Sequence, residues 1–207
     1  MEDLFTDPEI ITKIQNKLPR LFNIAEAEAS RGGKVGMEIG SVRERVIIAL
    51  FRHYFGREKV IDDIPITETE TDVIVHGRSI SIKTKTGQHY GGIKAVWTVD
   101  WERIEEYVSQ YHPAVDLIIA RITWGSNDGG LYLIPLQVQK NIFAELGVEG
   151  YLKIPKKNTN PRGVEYSKAA LESMFSDDGI RRLEIEWVRS VENVDVFEKW
   201  ERYWEEN

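Results

Sequence analysis

The chain is expected to form an α/β (α+β) fold, a mixed β-sheet flanked by helices. Three observations carry that expectation. Segments follow in the order helix, strand, strand, strand, helix, strand, which suits a layered arrangement. The run DVIVHGRSISIK (residues 72–83) alternates apolar and polar residues around a glycine, as a hairpin with one buried face does. The run VDLIIARI (115–122) is almost continuously apolar, the pattern of a strand covered on both faces.

The first helix opens at Asp7-Pro8, an N-cap followed by proline. Ile10, Ile11, Ile14, Leu18, Leu21 and Phe22 then recur at helical spacing, with a kink expected at Pro19. Arg31-Gly32-Gly33-Lys34-Val35-Gly36 follows as a flexible loop. A second helix is expected from about Val42 to Phe55, ended by Gly56. Its continuous apolar stretch, Val46 to Phe51, buries most of its surface.

An extended segment Val60–Ile66, the hairpin, a glycine-rich loop (Gly87–Gly92) and a strand Ile93–Val99 come next. Asp100 caps a helix to about Ser109. Strand Val115–Ile122 has its neighbour in Leu131–Ile134, across a turn at Gly125–Gly130. A helix near Val138–Leu146 ends at Gly147, Lys153–Gly163 is a basic loop, and Leu183–Val188 adds a strand. In the tail Val196–Trp204, Phe197, Trp200 and Trp204 share one helical face. No linker divides the chain, so 1–207 is read as a single domain, with a core of about 38–124 and an elaboration over 125–207.

Composition excludes several chemistries. No cysteine is present, which removes disulfides and thiolate metal sites. His53, His76, His89 and His112 show no paired zinc-binding spacing. No apolar run is long enough to span a bilayer, and the acidic, polar N-terminus is not a signal peptide, so the cytoplasm is expected. The net charge of −7 is uneven: from Glu172 to Asn207 there are 11 acidic and 5 basic residues, a balance of −6. The rest of the chain is near neutral and permits a basic nucleic-acid face.

A Gly-first type II′ turn at Gly77-Arg78 sets the expected hairpin register, with Asp72 opposite Lys83. Asp72, Ile74, His76, Ser79, Ser81 and Lys83 then share one face, and Val73, Val75, Ile80 and Ile82 the other. A carboxylate and an amine meet above a sheet with an aliphatic reverse side. Either this is an ordinary cross-strand ion pair, worth under about 1 kcal/mol, or it is part of a phosphodiesterase site.

The helix–strand–hairpin order, with Glu44 on the helix, Asp72 opening one strand and Lys83 on the next, resembles the PD-(D/E)XK nuclease superfamily. GGKVGMEIGSVRERV and TETETDVIVHGRSISIKTK look more closely like the ThaI family of type II restriction endonucleases, which cut CGCG to blunt ends. The catalytic resemblance covers roughly residues 34–90. There is a departure: no acid is followed two residues later by lysine, Ser81-Ile82-Lys83 stands in that place, and Thr71-Asp72 replaces Pro-Asp. The second carboxylate then comes from Glu44.

The chemistry explains these residue types. Phosphodiester cleavage develops charge on phosphorus, which a hard Mg²⁺ offsets. Mg²⁺ takes oxygen ligands, often from one or two carboxylates. Glu44 and Asp72 are candidates for these, and the resemblance implies the Ile82 backbone carbonyl as a third. Lys83 is the candidate to position or deprotonate the attacking water. Ser81 reads as a supporting or solvated hydroxyl. Glu44 has another reading, since Ser41-x-x-Glu44 fits a capping box, although its stripe is shared with Ile48, Phe51 and Phe55.

Met37, after Lys34-Val35-Gly36, is either a hydrophobic staple for the helix or a wedge entering base steps from the minor groove. The resemblance implies the wedge. Lys85 continues the Lys83 face toward a phosphate. Gln88 and His89, with Tyr90, either read base edges or solvate their loop. Lys153, Lys156, Lys157 and Arg162 form a backbone clamp or a plain surface loop. Trp200 and Trp204 read as core or dimer packing.

The expected whole is a Mg²⁺-dependent endonuclease acting on double-stranded DNA as a homodimer, two-fold like its palindromic site. A cognate DNA methyltransferase is an expected partner of the same system, not a stable subunit. Alternatives are a structure-specific repair or recombination nuclease of the same fold, and a catalytically inactive DNA-binding module.

Overall fold

Asp7 closes the first turn of α1 (Pro8–Glu28), accepting the Glu9 and Ile10 amides at 2.9 and 3.3 Å. In this computed structural model, residues 1–31, 34–36, 38–65, 68, 70–98, 100–157, 161–190, 195 and 197–205 are described. α1 runs on past Pro19, whose missing N–H removes one helical bond without ending the helix. Within the expected loop, β1 (Ser30–Arg31) and β2 (Lys34–Val35) pair as a short antiparallel ribbon. α2 (Ile39–Phe55) starts earlier than the expected Val42 and stops at Gly56, whose φ of 88° suits glycine. β3 (Val60–Ile61) is shorter than the expected extended segment, since residues 62–65 carry no regular structure and Ile66 lies outside the described residues.

β4 (Val73–Val75) and β5 (Arg78–Thr86) form the hairpin, in a corrected register. The turn residues are His76 and Gly77, both at positive φ (50° and 75°), as a type I′ turn requires. Ile74 therefore faces Ser79 rather than Ser81. A slip of two residues keeps every side chain on its expected face, because the strand period is two. It brings Asp72 alongside Ser81 and sets Lys83 further along the strand.

β6 (Lys94–Val96) leads to α3 (Trp101–Gln110), capped by Asp100 through the Glu102 amide at 2.9 Å. β7 (Asp116–Ile122) and β8 (Gly129–Ile134) are the expected central hairpin. α4 (Leu136–Tyr151) breaks at Gly147 (φ 65°), where its end was expected, and continues for a further turn. β9 (Leu152–Lys153), β10 (Val164–Tyr166) and α5 (Lys168–Ser176) follow, none with a counterpart in the sequence reading, which had Lys153 in a loop. β11 (Arg181–Ile185) and α6 (Glu198–Glu205) complete the elements. Trp204 is 91% exposed, so it is not core as one reading had it.

The main sheet has the order β11-β8-β7-β5-β4-β3. β5 and β7 are parallel, joined by a crossover through α3, and the other neighbours are antiparallel. Ile80, Ile82, Ile118 and Ile122 pack on Phe22, Ile47 and Phe51 of α1 and α2. Leu117, Ile119 and Ile134 pack on Ile104, Ile142 and Leu171 of α3, α4 and α5. The result is a mixed sheet flanked by helices. Asp116, a buried acid in the central strand, accepts the Leu136 amide at 2.7 Å and pairs with Arg78 at 2.7 Å. No described helix is long and apolar enough to cross a membrane.

Candidate active site

The site originates in unequal strand lengths. β4 pairs with β5 only as far as Ile80, while β5 continues to Thr86. On its other side β5 is bonded to β7 from Ile80 to Thr86, and the Gly87 N–H still reaches Ile122 O at 2.8 Å. A strand residue sends its N–H and C=O to the same edge, and alternate residues use opposite edges. Ile82 and Thr84 therefore direct their backbone groups to the edge that β4 has left open.

Asp72 fills the first gap. Its Oδ2 accepts the Ile82 N–H at 2.6 Å, the Ser81 hydroxyl at 3.0 Å and the Lys83 ammonium at 3.3 Å. Ser81 is only 2% exposed, so its hydroxyl fixes the carboxylate rather than meeting solvent. All three donors meet one oxygen, and the second is not needed to anchor the group.

Glu44 arrives from the opposite face of the sheet, on the stripe of α2 that buries Ile47, Ile48 and Phe51. With Asp72, Ile82 and Lys83 it lines a cleft of about 400 Å³, walled on the far side by Gly92 to Trp97. Burial, and then the nearby Asp72 carboxylate, push the Glu44 carboxyl up to about 7, with Lys83 and Arg45 opposing the rise. The capping-box reading of Ser41 and Glu44 is overturned. α2 begins at Ile39 with Glu38 at the N-cap, so Ser41 is already inside the helix.

Two parts of the surroundings were not read from the sequence. Tyr107 on α3 donates to the Glu70 carboxylate at 2.7 Å, and burial raises the Glu70 carboxyl while Lys83 lowers it. Glu70 lies outside any strand, where the Thr71 N–H bonds back to Glu68 O at 3.3 Å, so no local periodicity announces it. Next to Glu44, the buried Arg43 guanidinium pairs with the buried Glu26 carboxylate. Glu26 also accepts Trp124 Nε1 at 2.8 Å and faces Arg189 at 2.8 Å. This network ties α1, α2 and the chain after β7 together one residue from Glu44.

The remaining candidates are more scattered. Met37 lies outside the described residues. Lys34 is exposed on β2, and Gln88 and His89 are exposed beyond β5. Lys85 reaches toward Gly92, where an added Cβ would lie 3.2 Å from its ammonium nitrogen. Tyr90 stacks on Phe175 at 4.8 Å and under the Arg121 guanidinium at 5.2 Å. Lys156 and Lys157 are exposed, do not line the cleft, and Lys157 pairs with Glu105 at 3.5 Å.

Among the described residues no three His, Cys, Asp or Glu side chains gather as a metal cage. The open edge instead offers two carboxylates and a backbone carbonyl, a hard-oxygen set of the kind Mg²⁺ uses with water and phosphate.

The family model described as "Restriction endonuclease ThaI" matches residues 4–206. A solved structure, "Restriction endonuclease in complex with substrate DNA", is similar at 46% identity and a TM-score of 0.92. The likeness covers 100% of this chain and 99% of that one. No curated protein matches at a significant level. A match of this extent, on a sheet whose open edge gathers two acids and a lysine, means that the chain belongs to the ThaI restriction endonuclease family and is a type II site-specific deoxyribonuclease.

Proposed function

We propose that this enzyme cuts CGCG at its centre to blunt ends, as a Mg²⁺-dependent homodimer in which Glu44, Asp72 and Lys83 are catalytic. The observation that carries the reading is the convergence of the three side chains on one open strand edge, with Lys83 3.3 Å from Asp72 and Glu44 on the same cleft.

The residues fit the ion. Glu44, raised by burial and then by the neighbouring Asp72 carboxylate, faces the same cleft as Asp72, a donor set whose charge a divalent cation would offset. Asp72, Glu44 and the Ile82 carbonyl would hold it, since Ile82 directs its carbonyl to the same edge as its N–H. When bound, Mg²⁺ supplies positive charge against the charge developing on phosphate. Ser81 and the Ile82 N–H keep Asp72 oriented. The Lys83 ammonium orients the attacking water and offsets phosphate charge. Attack in line breaks the bond to the 3′ oxygen and leaves a 5′-phosphate and a 3′-hydroxyl.

Around this centre, Lys85 is assigned to a phosphate and Lys34 to the approach of the ribbon. Met37 is the wedge between base steps, Gln88 and His89 read base edges, and Lys156 and Lys157 clamp backbone. Residues 1–207 act as one nuclease domain, in the cytoplasm, beside a cognate methyltransferase. Incubating purified protein with plasmid and Mg²⁺ and sequencing the ends tests the reading. Blunt ends centred on CGCG, abolished by a chelator, are expected; ends at other sequences or staggered ends would remove the specificity assigned.

A further inference from the structure

Two apolar surfaces of the chain lie uncovered, and they complement each other. Positions 197, 200 and 204 recur at i, i+3 and i+7, one stripe along α6 and the residue before it. Phe197 is 65% exposed and Trp204 91%, aromatic area that a soluble protein ordinarily covers. Elsewhere, α1 and α2 leave between them a groove of about 310 Å³, floored by Leu18, Leu21, Val46, Ala49 and Leu50. Leu21 is itself 41% exposed.

We infer that α6 of one copy docks in the α1–α2 groove of a second copy, and reciprocally. The inference rests on the homodimer proposed above and names its contact. Anchors at i, i+3 and i+7 are the way a helix engages an apolar groove. Charge agrees with shape. Lys13 and Lys17 line the groove, whereas Glu201 flanks the aromatic stripe, with the Glu198, Lys199 and Arg202 positions toward the far side of the helix. No described α6 residue lines the groove of its own chain, and a two-fold pair fills both grooves with one self-complementary contact. Phe197 and Trp204, each burying roughly 150–250 Å², with the groove they cover, bring the pair toward the roughly 1,200 Å² of a stable interface.

Sedimentation of the full chain tests this with variants at exposed positions, their folds checked by circular dichroism. Phe197→Ser with Trp204→Ser, and separately Leu21→Glu with Ala49→Glu, should each weaken the dimer by at least about a hundredfold. Mixing the two variants should restore dimer, because the intact helix of one meets the intact groove of the other. Lys13→Glu with Lys17→Glu should weaken it about tenfold at low salt, and adding Glu201→Lys should recover part of the loss. If the aromatic variant remains as dimeric as the wild type, or mixing restores nothing, the contact is wrong while the homodimer stands. A wild-type chain that is monomeric with and without DNA removes both.

Discussion

The Asp72 carboxylate accepts the backbone N–H of Ile82 at 2.6 Å, so that a side chain stands where a strand is missing. β4 begins one residue after Asp72, and the acid takes over the edge that the short strand leaves uncovered. One hydrogen bond thus links sheet architecture to chemistry: it holds the acid in place, and the open edge beside it carries the Ile82 carbonyl. The Ser81 hydroxyl reinforces that geometry from within the protein.

Ser81→Ala removes one of the three donors to Asp72 Oδ2 without touching the acid or the lysine. The loss of one hydrogen bond to a charged group costs about 1–3 kcal/mol. Stability by denaturant titration should fall within that range, and plasmid cleavage should slow about tenfold. Full activity in the variant would mean that the Ile82 amide and Lys83 suffice to place Asp72.

Lys83→Ala tests the charge itself. Loss of a positioned cation at a developing phosphate charge is expected to slow cleavage by about 10²–10³, while gel shift still reports DNA binding. The inactive-module alternative predicts no change in the wild type's absent cleavage and only a local effect on stability. Cleavage by the wild type, lost in the variant, separates the two.

Glu44 should leave a pH signature. Its folded-state carboxyl sits at about 7, above its unfolded value, because of burial first and Asp72 second. The folded chain therefore binds more protons at this group than the unfolded chain does. The stability cost is absent below about pH 4, grows as pH rises toward 7, and is complete above it. Glu44→Gln removes that cost. The metal-free variant should melt a few degrees above the metal-free wild type at about pH 8, roughly 1 kcal/mol for a group partly screened by water. The two should converge near about pH 4, and Mg²⁺ should raise only the wild type. Melting curves that stay parallel across this range would contradict the raised carboxyl.

How much was readable follows from how local each signal is. Asp7 and Asp100 cap α1 and α3 through amides two or three residues away, and both are visible in short spacing. The faces of the hairpin were legible because period two survives a register slip of two. The register itself was not, since it turns on His76 taking a positive φ that non-glycine residues seldom adopt. α5 had a signal that went unread: Ser167 caps Ala170 at 2.9 Å, and Leu171, Met174 and Phe175 follow at helical spacing. Glu70–Tyr107 and Glu26–Arg43 join residues far apart in the chain, so the pairing depends on the fold.

Met37→Ala should leave the melting temperature unchanged within about 1–2 °C, a surface-sized effect, while sharply reducing cleavage of CGCG-bearing DNA. A base analogue beside the central step reports unstacking by fluorescence. The wedge assignment requires that signal with the wild type and its loss with the variant. Equal fluorescence and equal cleavage in both proteins would return Met37 to the role of a helix staple.

The last prediction concerns the residue beside Glu44. Arg43 and Glu26 are both about 95% buried at their side chains, each 5% exposed. Glu26 is the centre of the group, since Arg43, Trp124 and Arg189 all turn to it. Glu26→Gln keeps the shape but withdraws the charge, so the Arg43 guanidinium remains buried without its counterion. Breaking one side of a buried pair costs about 3–5 kcal/mol, far more than the loss of the exposed Arg189 contact would. Arg43→Met removes the orphaned charge instead, and the double variant Glu26→Gln with Arg43→Met should recover part of the stability. Denaturant midpoints of the four proteins give the coupling directly. Because the network pins α2 one residue from Glu44, the single variant should also lose catalytic rate at temperatures where it is fully folded, and the double variant should not regain it. Recovery of rate along with stability would show that Glu44 is placed by the packing of Ile47, Ile48 and Phe51 alone.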